Sequence, residues 1–196
     1  MMKRTSKIER ETKETKISLQ INLDGTGKRK IETKIGFFDH MLDLLSKHGL
    51  FDLNIKALGD LNVDGHHTVE DVGIVLGKAI KEALGDKKSI NRYGHSYVPM
   101  DESLALCVVD LGGRPCLVLK AEYNSSKVGE MDVELIEEFF RAVSINAEMN
   151  IHIKVLYGSN NHHIIEAMFK AFAKALSEAS RVNERIIGVM STKGVL

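Results

Sequence analysis

Apolar and polar positions alternate along some stretches of this chain and recur every three or four residues along others. Ile17, Leu19, Ile21 and Leu23 alternate with polar neighbours, which is the period of a strand with one buried face. Asp24-Gly25-Thr26-Gly27 then predicts a turn into a second strand through Ile31 and Ile35, completing a hairpin. Phe37 to Lys47 has helical spacing, and His48-Gly49 stops it. Phe51 to Leu61 reads as a strand. Behind Gly65, apolar residues at Val69, Val72, Leu76, Ala79 and Ala83 predict an amphipathic helix that runs to Gly85. The order is ββαβα. From Leu104 it returns: a strand to Leu111, a Gly112-Gly113-Arg114-Pro115 turn, and a strand to about Tyr123. A helix from about Val133 to Ser144, a strand from Ile151 to Leu156 and a helix to about Ser180 complete the second round.

The two rounds can be superposed in sequence. Asn54-Ile55 falls on Asn150-Ile151, and His66-His67-x-x-Glu70 falls on His162-His163-x-x-Glu166 at the same offset. The hairpins match at a shorter offset, which places a few extra residues near Asn124 to Glu130. Motif, order and spacing agreeing together predict an α+β fold made of internally duplicated ββαβα halves with pseudo-twofold symmetry, each a small sheet covered by helices. The halves are residues 1–90 and 91–196, one compact duplicated unit, the second ending in a short tail.

Composition narrows the function. With 196 residues, 43% of them hydrophobic, the chain can bury a substantial core. Its 27 acidic side chains balance 27 basic ones, so the basic excess that drives binding to nucleic acid or acidic membranes is absent. No run is long and apolar enough for a membrane span, and the N-terminal tract has no apolar signal segment. Cys107 and Cys116 lie in apolar strand-like runs and read as reduced core residues. These features together lead us to expect a soluble cytoplasmic protein.

The candidate chemistry is the doubled histidine motif. On a helix His66 and Glu70 share a face, while His67 points about 100° away. Neighbouring histidines therefore serve different metals more easily than one. A single His pair at a helix start reads most simply as a solvated cap; two copies with the same third residue point to metal. Asp39-His40 on the short helix of the first half is matched, two residues out of register, by Glu137-Glu138 in the second. His40, His66, His67, Glu70, Glu138, His162, His163 and Glu166 thus form a candidate ligand set for two transition-metal ions, with positions left for substrate.

Several ordered blocks carry a family resemblance over nearly the whole chain. They are L-D-G-T-G-K at Leu23 to Lys28, F-F-D-H-M-L at Phe37 to Leu42, G-H-H-T-V-E-D ending at Asp71, Arg92-Tyr93-Gly94, P-M-D-E at Pro99 to Glu102, G-G-R-P at Gly112 to Pro115, N-H-H-I-I-E-A ending at Ala167, and S-T-K-G at Ser191 to Gly194. The chain resembles the imidazoleglycerol-phosphate dehydratases of histidine biosynthesis. Two positions depart from the pattern: Glu138 stands where some members carry a metal-binding histidine, and Leu44 where some have a polar residue near the substrate.

The resemblance implies removal of water from D-erythro-imidazole-glycerol phosphate to give imidazole-acetol phosphate, with two Mn(II) ions per active site. The proton to be lost sits on a carbon with no adjacent carbonyl, so the imidazole ring, held as imidazolate by the metals, must act as the electron sink. His67, Glu70, His163 and Glu166 take catalytic roles as ligands, and Glu14 is the candidate base and substrate contact. Arg92, Arg114 and Lys193, with the Ser191 hydroxyl, are candidate phosphate ligands, and His40 also faces substrate. The family further implies a closed homo-oligomer of about 24 subunits with sites shared between chains. Two other classes use similar residues. A metal-storage protein needs no phosphate-binding cations, and a dinuclear metallohydrolase would release inorganic phosphate.

Overall fold

The Ile17–Leu23 alternation forms the second strand, not the first. The computed structural model describes residues 3–196; Met1 and Met2, the start of the N-terminal tract, lie outside the described residues. The elements are β1 (Thr5–Glu11), β2 (Thr15–Asn22), β3 (Arg29–Glu32), α1 (Gly36–Gly49), β4 (Asp52–Gly59), α2 (His66–Leu84), β5 (Tyr93–Met100), β6 (Ser103–Asp110), β7 (Cys116–Lys120), β8 (Lys127–Val128), β9 (Met131–Asp132), α3 (Leu135–Ala147), β10 (Asn150–Tyr157) and α4 (Asn161–Ser180). The α+β class and the repeated order hold, and each half carries one more strand ahead of the expected five elements. β1 escapes periodicity because Ile8 is the one apolar residue in its Thr5–Glu11 run. Main-chain pairing with β2 makes it a strand.

Pairing corrects the expected hairpins. β2 and β3 are not partners: β4 lies between them, antiparallel to β2 and parallel to β3, in the order β1-β2-β4-β3. The second sheet repeats this as β5-β6-β10-β7, so β6 and β7 are likewise separated. The true hairpins are β1–β2 and β5–β6. The Asp24–Gly27 segment serves instead as a crossover start, its Thr26 N–H and the Lys28 N–H donating to Asp52 at 2.8 and 3.0 Å. The extra residues of the second half form the small β8–β9 ribbon.

The helices form the middle of the molecule. α2 packs on β1 and β2, α4 on β5 and β6, and the helices of one half pack on those of the other, α2 against α3 and α1 against α4. Gly73 and Gly77 permit the first of these contacts. A Cβ at Gly73 would sit 2.8 Å from the Phe139 carbonyl oxygen, and one at Gly77 would sit 2.8 Å from that of Val143. Phe38 of α1, Phe139 and Phe140 of α3, and Phe169 and Phe172 of α4, all fully buried, fill the space among these three helices. Duplication extends to detail: the Ser46 hydroxyl donates to the Phe51 carbonyl at 2.7 Å, and Ser144 donates to Met149 at 2.8 Å, each behind a left-handed residue that ends α1 or α3. Cys107 is buried, which pushes its thiol pKa up; Cys116 is exposed on β7 and is not a core residue as expected.

Candidate active site

Both histidine pairs open their helices, as their spacing predicts. The Asn160 side chain caps α4 by accepting from the His162 and His163 N–H groups at 2.9 and 3.4 Å, and Asp64 accepts from the His66 N–H at 2.8 Å. The adjacent rings diverge. His162 and His163 stand at 80° with centroids 6.1 Å apart, and His66 and His67 at 84° and 6.2 Å. One member of each pair turns toward its own Glu: His162 Nε2 lies 3.2 Å from Glu166 Oε2, and His66 Nε2 lies 3.8 Å from Glu70 Oε2.

α1 completes the His162–Glu166 pair. His40 Nε2 lies 3.4 Å from Glu166 Oε2, and the donor atoms of His40, His162 and Glu166 all fall within 4.8 Å of one another. Imidazole nitrogens with a carboxylate suit a divalent first-row ion. Burial would raise the Glu166 carboxyl, but the Lys170 ammonium one helical turn on, with His40 behind it, brings its pKa below the usual range. The carboxylate is therefore ionised and available as a ligand.

The first-half set is less gathered. Glu138 faces Arg141 at 3.9 Å, and among the described residues no contact joins it to His66 or Glu70. Among the described residues, no contact joins the first-half candidates His66, His67 and Glu70 to His40, His162, His163 or Glu166 either. Glu14, expected from sequence near substrate, sits in the β1–β2 turn with its carboxylate 3.9 Å from His67 Nε2.

The candidate phosphate residues lie elsewhere. Arg92 donates twice to Asp110, at 2.8 and 3.2 Å, and once to the Met190 carbonyl at 2.7 Å, so its guanidinium ties the tail to the second sheet. The tail ends beside Gly113, and the Lys193 N–H donates to the Ser191 hydroxyl at 3.2 Å. Arg114 is exposed in the turn before β7. The Arg92 N–H bonds the Ala179 carbonyl at the C-terminal end of α4. The histidines open the other end of this helix, roughly 25 Å away at 1.5 Å per residue. A groove of about 770 Å³ on the outer face of the first sheet, lined by Asn22, Lys28, Lys30 and Asn54, holds none of these residues.

Sequence reasoning misses the carboxylates that hold the outward-turned histidines. His67 Nδ1 lies 3.0 Å from Asp60, which raises the ring's pKa. His163 Nδ1 lies 2.7 Å from Glu102, with the same effect. Glu102 is held well below the usual carboxylate range, first by His163 and then by the N–H groups of Asn160 and Ser159. Its P-M-D-E block is visible in the sequence, but its role is not. Asp71, buried under Arg10 at 2.9 Å, is likewise legible only as part of a block.

This arrangement can be set beside known proteins. A family model described as imidazoleglycerol-phosphate dehydratase matches residues 33–176. The chain belongs to the imidazoleglycerol-phosphate dehydratase family. It is 64% identical over 195 residues to the dehydratase of Acetivibrio thermocellus, covering all of both chains, and 59% identical over 195 residues to that of Geobacter sulfurreducens, again over the full length of both. The crystal structure of the Staphylococcus aureus dehydratase superposes with a TM-score of 0.82 at 45% identity, covering 91% of this chain and 98% of that one. That of the Pyrococcus furiosus enzyme, solved in complex with (S)-C348, gives 0.82 at 36% identity, covering 96% and 100%. The chain is thus a hydro-lyase of histidine biosynthesis. The full-length relatives extend the match beyond the family model to the Glu14 turn and the Ser191–Lys193 tail. No helix of the described residues is long and apolar enough to cross a membrane.

Proposed function

We propose that this dehydratase removes water from D-erythro-imidazole-glycerol phosphate at a dinuclear manganese site shared between chains of a cytoplasmic, closed homo-oligomer of about 24 subunits. The observation that carries this reading is the separation of parts within one chain. His40, His162 and Glu166 converge, whereas His163 and His67 turn away from their own sets, and Arg92, which holds the tail that carries Ser191 and Lys193 at Met190, sits at the far end of α4. A small phosphate ester cannot span that helix, which supports a site completed by groups from a neighbouring chain.

In this assignment His40, His162 and Glu166 hold one ion with His67 of a neighbour, and His66, Glu70 and Glu138 hold the other with a neighbour's His163. Glu138 would leave Arg141 to do so. Manganese, when bound, supplies the Lewis acid that stabilises the anionic imidazole ring. Glu14, exposed on its turn beside His67, takes the carbon-bound proton. Arg114, Lys193 and Ser191 hold the phosphate, while Arg92 fixes the tail that carries two of them.

Activity on the substrate with and without manganese tests the reading. Chelator-stripped enzyme should be inactive, recover with Mn(II), and bind two ions per chain. The product should be a ketone with its phosphate intact; release of inorganic phosphate, or activity in a metal-free preparation, would sink the proposal. Arg114→Ala and Lys193→Ala should each raise KM about tenfold to a hundredfold, the worth of a charge-assisted hydrogen bond of about 1.5–3 kcal/mol, with metal content unchanged. Unaltered KM in both would remove them from the phosphate site.

A further inference from the structure

The outward-turned histidines are not free rotors. In each half a carboxylate from a neighbouring loop or turn faces Nδ1. Asp60, in the loop between β4 and α2, places its two oxygens 3.2 and 3.0 Å from His67 Nδ1. Glu102, in the turn between β5 and β6, places Oε2 2.7 Å from His163 Nδ1. The two come from different places in the repeat, so the halves reach the same contact by different routes. Glu102 is the more firmly built. Its other oxygen accepts from the backbone N–H groups of Ser159 and Asn160 at 3.1 and 2.8 Å and from the Ser103 hydroxyl at 3.0 Å. The carboxylate is thereby clamped to the loop that leads into α4.

An ionised carboxylate only accepts, so the ring nitrogen it faces must carry the proton. The lone pair of a neutral imidazole is then on Nε2, the nitrogen on the outer side of each ring. There a second, more exposed carboxylate waits: Glu14 at 3.9 Å from His67 Nε2 and Asp101 at 3.7 Å from His163 Nε2. The outer side of both rings is thus an acidic surface that favours a cation.

We propose that Glu102 and Asp60 are positioning residues that fix the tautomer and ring direction of His163 and His67, so that each presents Nε2 to the metal it shares with a neighbouring chain. This rests on the dinuclear, shared-site reading above. In Glu102→Gln the amide oxygen would take the Ser159 and Asn160 N–H groups, leaving the NH2 against His163. That group donates, so it draws the lone pair to Nδ1 and the proton to Nε2, the nitrogen the metal needs. In Asp60→Asn the same reversal is available without disturbing any backbone contact, because the side-chain partner of Asp60 is His67.

The test is equilibrium dialysis of chelator-stripped, full-length enzyme against Mn(II) alone, with thermal denaturation and light scattering on the same samples. Each variant is expected to weaken one of the two Mn(II) affinities about tenfold to a hundredfold, with the metal-free Tm unchanged, and to regain kcat at saturating Mn(II). A merely structural defect would lower the metal-free Tm and would not be cured by more metal. If Glu102→Gln fails to fold because its loop contacts are lost, Asp60→Asn decides. Affinities within twofold of wild type in the folded variants overturn the proposal. A wild-type enzyme that binds no Mn(II) overturns instead the shared-site reading beneath it.

Discussion

Chains carrying His67→Ala or His163→Ala are expected to be inactive alone and to recover up to about a quarter of wild-type activity when equal amounts are unfolded and refolded together. The fraction follows from the geometry. His67→Ala chains keep His40, His162, His163 and Glu166; His163→Ala chains keep His66, His67 and Glu70. If a site needs the first set from one chain and the second from its neighbour, random mixing pairs two intact sets at about one interface in four. If instead each site lay within one chain, every site would lack a ligand and mixing would restore nothing. Single-chain inactivity is expected because, in the proposed site, the removed imidazole is an ion's ligand, not a peripheral contact. The measurement is dehydratase activity in mixtures shown by tagged pull-down to contain both chains. Mixtures as inactive as either parent would show that the sites are not shared.

Gly94→Ala is expected to destabilise the fold by about 3 kcal/mol or more, a large share of the 5–15 kcal/mol typical of a domain. Gly94 lies on the inner face of β5, and a Cβ there would meet the Ala175 carbonyl oxygen at 2.0 Å and the Ala179 nitrogen at 2.6 Å. Both obstacles are helix backbone, so no side chain can rotate aside. The sheet and α4 must separate by more than an ångström, which opens the packing between them. The glycine is required for space, since its φ is not in the left-handed region. Calorimetry on the metal-stripped protein, free of ligand linkage, should show Tm lower by about 6–12 °C. Gly36→Ala is the control: nothing lies within 4 Å of its Cβ position and the residue begins a helix, so Tm should hold or rise slightly. A Gly94→Ala Tm within a degree of wild type would mean that β5 and α4 are not in the close contact described.

The helices are legible in the amino-acid sequence because their signal is local. Leu42 and Leu45, or Val72, Val75, Leu76 and Ala79, must recur at three and four if one face is to be buried, and that spacing is written in adjacent residues. The same locality makes His66 and Glu70, and His162 and Glu166, readable as partners one turn apart, and His67 and His163 as facing elsewhere. The repeat likewise needs only comparison of the chain with itself. Sheet partnership is different. Whether β2 meets β3 or β4 depends on a connection through α1, and the alternation of Ile17, Leu19 and Ile21 is satisfied by either neighbour. β1 and β5 carry no readable alternation for a related reason: the inner face of one holds Ser6 and Arg10 beside Ile8, and that of the other begins with Gly94, where α4 passes too close for any side chain.

For the candidate site, residue types and their spacing along the chain single out the side chains proposed to carry the chemistry. Packing in three dimensions sets how they are distributed. It brought His40 from α1 to Glu166 on α4, put Asp60 and Glu102 behind His67 and His163, bound Arg92 to Asp110, and left Arg92, which holds the tail at Met190, a helix length from His162 and His163. Those contacts join residues from 7 to 126 positions apart, and through-space distances of that kind are set by how helices and sheets pack, for which no residue-by-residue period exists.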